Sequence, residues 1–240
     1  MPPIDRIRSP NVQDSIYAAL RASIISLNLA PGTVISEKEI SQRFNVSRTP
    51  VREAFIHLSK EGLIKVMPQK GSMVSRIDFT RVAQELFLRE NLEPAALKQF
   101  IKNYQNSQLQ ELEKCMELQT EAAGTKKYEQ FYRYDNMFHQ VFFSSQQVAW
   151  EILENMCGHY NRVRLLTIWL QDIVKDIVKE HKQLFQAVKK RDETKALVLL
   201  ESHIHKLGAE EAMLRRLFPD FFSEPEEVLP PVDFGGLNIN

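Results

Sequence analysis

Glycine is scarce in this chain, at 8 of 240 residues. Sustained alternation of β-branched residues is missing too, so a sheet-rich architecture has no support. Leu, Glu, Lys, Gln and Ala dominate instead, which favours helices. No run approaches the roughly 18 consecutive apolar residues of a membrane span, and no membrane partner is expected. There are only two cysteines, Cys115 and Cys157, without CxxC spacing. That argues against a disulfide framework or a cysteine-built zinc site and suits a reducing cytoplasm. Arg6 and Arg8 have no apolar run behind them, so a secretory signal is not expected. With 43% hydrophobic and 26% charged residues, wholesale disorder is excluded.

Net charge is also absent, with 31 residues of each sign, but the balance conceals a division. Residues 1–77 carry 11 Lys/Arg against 6 Asp/Glu, and residues 78–240 carry 20 against 25. A basic small domain joined to a mildly acidic larger one suggests that only the first meets a polyanion. From Pro219 the chain has five acids, no Lys or Arg, and four of the eleven prolines. Residues 219–240 therefore read as an extended acidic tail.

Within residues 1–77, Val12, Ile16, Ala19, Leu20, Ile24 and Leu27 recur at helical spacing. Pro31-Gly32 marks a turn, and Ser36 with Glu39 forms a capping box opening a short helix. After Asn45-Val46, Ser47 caps a further helix whose apolar stripe is Val51, Ala54, Phe55 and Leu58. Leu63 to Ile77 suits a two-stranded ribbon with a basic tip. This is the order of a winged helix-turn-helix. Arg48, Thr49 and Arg52 occupy the end of the second helix that enters a major groove, where Arg reads guanine O6 and N7 with paired donors. Ser47, Thr49 and the helix N-terminus can hold a phosphate, and Lys70 at the ribbon tip reaches backbone or minor groove.

The runs Leu29-Ala-Pro-Gly-Thr-Val-Ile-Ser-Glu-Lys-Glu-Ile40 and Val46-Ser-Arg-Thr-Pro-Val-Arg-Glu-Ala54 resemble the N-terminal domain of the GntR family of bacterial transcription regulators. Leu58-Ser-Lys-Glu-Gly-Leu63 extends the likeness. The resemblance implies DNA contacts from Lys38, Arg48, Thr49 and Arg52, with Gly71 allowing close approach to the minor groove. Many members carry Arg just before that glycine; Lys70 is a looser point charge.

Residues 78–218 show no strand pattern. About six helices are expected: Thr80–Asn103, one capped by Ser107, Lys127–Ser144, Val148–Leu170, Ile173–Lys190, and one capped by Asp192 running to about Phe218. Short connections imply antiparallel neighbours. The fold class is thus mainly α, a winged helix-turn-helix with a small β-wing followed by an all-helical antiparallel bundle. Its core is expected from Leu86, Leu97, Leu112, Phe138, Ile152, Leu165, Leu184, Val188, Leu197 and Leu200. Asp135 and His139 are four apart and share a helix face. His181 and His203 fall on later helices. One carboxylate and three imidazoles suit a divalent transition metal such as Zn, Ni, Mn or Fe, although any bundle carries some histidines and spacing alone leaves that alternative open. His57 reads as surface, and His159 and His205 as half-exposed. Arg162 and Arg164 sit about 200° apart on one helix, so at most one lines a cavity.

Tyr134-Asp135-Asn-Met-Phe138-His139, Glu180-His181-Lys-Gln-Leu-Phe-Gln-Ala187, Arg191-Asp192, Ala196 and Ser202-His203-Ile204 are similar to the effector domain of the family's FadR-like branch, the FCD type. That resemblance implies that Asp135, His139, His181 and His203 hold a metal at the floor of an effector cavity. Arg89 matches an arginine of the branch's first effector-domain helix, suited to a carboxylate ligand. The glutamate usual two positions earlier is Phe87 here. The resulting expectation is a non-enzymatic, ligand-responsive regulator, commonly a repressor. It would bind a small organic acid and act as a homodimer on the half-sites of a short inverted repeat in double-stranded DNA. A regulator with the metal itself as signal is one alternative. A metal-dependent hydrolase or oxygenase is another, but spacing places no general base for it and it leaves the basic helix-turn-helix unexplained.

Overall fold

The computed structural model describes residues 12–170, 172–206 and 211–224. The N-terminal unit runs α1 (Val12–Ile25), β1 (Val34–Ile35), α2 (Glu37–Phe44), α3 (Arg48–Lys60), β2 (Ile64–Met67) and β3 (Gly71–Val74). The apolar stripes meet as the sequence requires. Ile16, Leu20 and Ile24 of α1 are buried with Val51, Ala54, Phe55 and Leu58 of α3. The capping box at α2 forms in both directions, with Glu39 N–H donating to Ser36 Oγ at 3.1 Å. Asn45 closes α2 in the left-handed region and leaves a three-residue turn before α3.

The wing is a three-stranded antiparallel sheet in the order β1-β3-β2. Its edge strand β1 is only two residues long, too short for a periodicity signal, and sequence reading passed over it. Gly71 has φ +95°, and a Cβ there would lie 2.9 Å from the Ile35 carbonyl oxygen. Glycine at this position is therefore required by the close approach of β1 as well as by any groove contact.

The helical unit comprises α4 (Phe79–Asn103), α5 (Asn106–Gly124), α6 (Tyr128–Phe142), α7 (Gln147–Met156), α8 (Gly158–Trp169), α9 (Asp172–Lys189), α10 (Glu193–His205) and α11 (Glu211–Leu217). Helix α4 is capped by Asp78, whose Oδ1 accepts from Thr80 N–H at 2.9 Å. The cap of α5 is Gln105, not Ser107. The expected helix Val148–Leu170 is two helices that break at Cys157. Gly158 opens the second of them directly against the DNA domain: a Cβ there would sit 2.6 Å from Leu63 Cδ2. The helix expected to continue from Asp192 to Phe218 is described as α10 and α11, with residues 207–210 outside the described set.

Helix α8 occupies the centre, and every residue from Gly158 to Ile168 is buried. It packs against α4, α6, α9 and the first helix of the DNA domain. Among the expected core residues, Leu97, Leu112, Phe138, Leu165, Leu184, Val188 and Leu200 are buried. Leu86 and Leu197 pack at its margin. Ile152 is not core: it is 43% exposed on α7, because that short helix turns its Trp150 and Leu153 inwards instead. Cys115 and Cys157 are both buried and free.

The tail expected from Pro219 is packed where it is described. Pro219–Phe221 form a 3₁₀ turn. Ile77 N–H donates to the Phe221 carbonyl at 2.8 Å, and Ser223 N–H returns to Ile77 O at 2.9 Å. Phe222 stacks on Phe79 at 5.0 Å, with the Arg215 guanidinium over both rings. Residues 225–240 lie outside the described set.

Candidate metal centre and nucleic-acid interface

Helices α6, α9 and α10 bring Asp135, His139, His181 and His203 together, with one donor atom from each lying within 4.8 Å of the others. The first three are buried and His203 is half-buried. Each imidazole is oriented through its Nδ1. His139 Nδ1 lies 2.7 Å from Glu93 Oε2, His181 Nδ1 2.8 Å from Gln119 Oε1, and His203 Nδ1 2.8 Å from Glu180 Oε2. Gln119 is itself fixed, its Nε2 donating to the Tyr134 carbonyl at 3.1 Å. With these oxygens accepting, Nδ1 carries the proton and each Nε2 presents a lone pair.

Those lone pairs meet no hydrogen-bond donor among the described residues. His181 Nε2 and His203 Nε2 face each other at 3.3 Å. His139 Nε2 and Asp135 Oδ1 are buried without a hydrogen-bond partner. Four converging acceptors in a buried site are unfavourable unless a cation lies between them. The electrostatics agree. Burial alone would raise the Asp135 carboxyl, but the Arg164 guanidinium and the facing imidazoles hold it well below the usual range. Burial pushes His139 down and His181 far down, so both stay neutral. The donor set therefore fits a divalent transition metal.

A cavity of about 260 Å³ opens on the donor cluster, lined in part by Asp135, His203, Tyr160 and Arg164. Of the three arginines singled out from sequence, only Arg164 reaches it. Arg164 binds Asp135 Oδ2 and donates to Asn136 Oδ1 at 2.8 Å. Arg89 lies behind, paired with Glu93 and stacked on Tyr160 with its guanidinium 4.9 Å from the ring centroid. Burial would raise the Glu93 carboxyl; Arg89 and His139 overcome it and hold the group deprotonated. Arg162 is fully buried but faces the DNA domain. Its Nη1 donates to the Ser75 carbonyl at 2.6 Å and its Nε to Gly158 O at 3.1 Å. Beside it His159, expected half-exposed, is buried and accepts the Asp78 N–H through Nδ1 at 3.0 Å.

Glu93, Gln119 and Glu180 escaped sequence reading. The only local signals were the i, i+4 spacing of Glu93 to Arg89 and the adjacency of Glu180 to His181. His57 is exposed on α3. His205 is exposed too and pairs with Glu90 at 2.7 Å.

In the DNA domain, Lys38, Ser47, Arg48, Thr49, Arg52, Lys70 and Gly71 are all exposed. Among the described residues none of these cations forms an ion pair, and the Ser47 side chain makes no capping bond although the residue stands at the N-cap of α3. Arg48 and Thr49 begin α3 and Arg52 follows one turn later. Lys70 stands on the turn between β2 and β3.

The model for "Bacterial regulatory proteins, gntR family" matches residues 12–74, and the "FCD domain" model matches residues 85–206. The HTH-type transcriptional repressor RspR of Escherichia coli is 35% identical over 215 residues, 89% of this chain and 94% of that protein. The HTH-type transcriptional regulator YdfH of Escherichia coli O6:H1 is 35% identical over 218 residues, 90% and 96% of the two chains. Among solved structures, McbR/YncC of Escherichia coli aligns with a TM-score of 0.73 at 19% identity, covering 86% of this chain and 98% of that one; this likeness concerns the fold. The chain belongs to the GntR family of DNA-binding transcription regulators and carries an FCD domain.

Proposed function

We propose that this regulator is a homodimeric repressor that binds a divalent metal through Asp135, His139, His181 and His203, and senses a small organic acid in the adjoining cavity. The carrying observation is the convergence of three imidazole Nε2 atoms and Asp135 Oδ1, of which His139 Nε2 and Asp135 Oδ1 have no hydrogen-bond partner among the described residues, at the floor of a cavity that holds Arg164. When bound, the metal supplies a Lewis-acid point on which a carboxylate coordinates. Arg164 orients the acid beside it, and Glu93, Gln119 and Glu180 keep the imidazoles in the metal-binding tautomer.

The DNA-facing half follows from the unpaired surface cations. Arg48 and Arg52 read base edges at the start of α3, Lys38, Ser47 and Thr49 hold phosphates, and Lys70 reaches the backbone or minor groove beside Gly71. Two copies then read the half-sites of an inverted repeat. Helix α8 couples the two functions, since Arg164 grips the metal-binding Asp135 while Arg162 and His159 grip Ser75 and Asp78 of the segment leading from the DNA domain. The acid biases the angle between domains only to the extent that it binds one arrangement better.

Thermal unfolding of the full chain with a panel of carboxylic acids, before and after chelation, combined with operator binding, tests this reading. An acid should raise the midpoint only with metal present and should weaken operator binding. If chelation and acids both leave the midpoint unchanged, the four-residue site is not a metal centre. If operator binding follows metal with every acid inert, the metal itself is the signal.

A further inference from the structure

Three residues, Ser75, Arg76 and Ile77, join β3 to the Asp78 cap of α4. With two soft backbone dihedrals each, they do not by themselves fix the angle between the domains. Helix α8 grips the two ends of this linker, through Arg162 at Ser75 and His159 at Asp78. The middle is held by the segment that follows α11. Arg76 Nε donates to the Asp220 carbonyl at 3.1 Å. The same guanidinium packs against the Pro31-Gly32 turn of the DNA domain, with Nε 3.7 Å from where a Gly32 Cβ would stand. Ile77 has no solvent exposure and bridges in parallel to Phe222, with hydrogen bonds to Phe221 and Ser223. Phe222 is buried against Phe79 at the start of α4. Arg215 ties this segment back to α11. It covers both rings, its Nη1 donates to the Ser223 carbonyl at 2.8 Å, and its Nε is paired with Glu211.

From this arrangement we infer that residues 218–223, stapled by Arg215, are a strap that sets the angle of the DNA domain and thereby selects the spacing between operator half-sites. The inference rests on the homodimer and inverted-repeat reading above. In such a dimer each winged domain reaches its half-site through its own linker. Every base pair inserted between the half-sites moves them about 3.4 Å apart and turns one around the duplex by about 35°. Domains held at a set angle meet that displacement only by deforming the DNA or giving up contacts. Domains on loose linkers follow it. Phe222 and Arg76 are therefore positioning residues, acting on recognition through the linker and not through contact with a base.

The test uses the inverted repeat that the full chain selects from random double-stranded DNA. Duplexes carry that repeat at the selected spacing, at one base pair shorter and longer, or as a lone half-site. Wild type should bind the selected spacing about tenfold tighter than either neighbour, the low end of what deforming the DNA costs. Phe222→Ala should narrow that preference to about threefold or less, at least half of the free-energy difference, with lone half-site binding at the wild-type level. A variant that is merely less stable loses affinity for every duplex alike and keeps the ratio; that result overturns the inference. Arg76 is exposed, so Arg76→Ala removes no buried group and should narrow the preference in the same direction. Thermal midpoints verify folding, and if Phe222→Ala does not fold, Arg76→Ala alone decides. A wild-type spacing preference in the folded variants overturns the strap while leaving the inverted-repeat reading standing. If wild type selects no repeat, or binds all three spacings equally, that reading itself fails and the strap inference falls with it.

Discussion

Arg162 donates to the carbonyl of Ser75 across the junction between the two domains, at 2.6 Å and from a position with no solvent exposure. Its Nη2 is buried without a partner, and burial lowers its pKa to about 10 with only partial relief from Glu85. An arginine so placed contributes little net stability, because the cost of burying the charge offsets the hydrogen bonds it makes. Its value lies in connection. Two residues along the same helix, Arg164 holds Asp135. Arg162→Met should therefore leave the thermal midpoint close to wild type and operator binding intact, while removing most of the effect of chelation on operator affinity. Couplings of this kind are worth about 1–3 kcal/mol. Measuring operator affinity with and without chelator in both proteins checks it; an undiminished response in the variant would move the coupling elsewhere.

His159 gives a pH prediction. Burial, with the Arg162 charge beside it, holds its pKa at about 3. The folded state keeps the ring neutral while the unfolded chain takes up a proton below about pH 6.5. Stability from this group is thus complete above pH 6.5 and declines as pH falls towards 3, by about 1.4 kcal/mol per unit at the steepest. His159→Asn retains an acceptor for the Asp78 N–H and cannot titrate. The difference in unfolding free energy between wild type and variant should change between pH 6.5 and 4.5 in the direction of a relatively more stable variant. A constant difference would mean that His159 titrates alike in both states.

Gly71 separates two roles at the wing. A side chain there is strained by the positive φ and meets the Ile35 carbonyl, so Gly71→Ala should destabilise the protein by about 1–3 kcal/mol. Loss of operator affinity with an unchanged midpoint would instead assign the glycine to groove contact alone.

Base reading and phosphate holding are distinguishable by salt. Arg52→Ala should cost about 1–3 kcal/mol on the specific operator and relax preference at one base pair. Lys70→Ala should weaken binding across sequences and lower the salt slope by about one. Anisotropy titrations over a salt series, on operator and scrambled DNA, measure both quantities. An Arg52→Ala protein with wild-type operator affinity removes that residue from the readers.

Much of this was legible from periodicity and capping. The capping box at Ser36 and most helices of the bundle follow from local rules, whereas the meeting of Asp135, His139, His181 and His203 was implied by the resemblance and left open by spacing alone. What escaped did so for identifiable reasons. Helix α8 is buried on every side: Arg162 and Arg164 do not share one cavity face, and the face opposite the cavity is the domain junction and not solvent. His159 is buried at that same junction for the same reason. Glu93 and Gln119 lie on helices other than those of the histidines they orient, a relationship that spacing along the chain does not encode. The close approach of Leu63 and Ile25 to Gly158, just past the break at Cys157, comes from another domain and leaves no local signal.

Glu180 offers the mildest test of the orienting shell. It is half-buried, accepts from His203 Nδ1 at 2.8 Å and pairs with Lys206. Glu93, by contrast, is fully buried against Arg89, and neutralising it would strand that cation. Glu180→Gln keeps an acceptor near His203 but removes the negative charge that makes the imidazole a stronger donor to the metal. Metal affinity should fall about tenfold, the lower end of what loss of such a partner costs, with the midpoint of the metal-free protein close to wild type. His203→Ala should lose far more affinity, because it removes a ligand and not its support. Competition with a chromophoric chelator orders the three proteins directly. Wild-type affinity in Glu180→Gln, together with a severe loss in His203→Ala, would keep His203 as a ligand but deny Glu180 its part in orienting it. Wild-type affinity in both would remove His203 from the metal centre and leave Asp135, His139 and His181 as the donors.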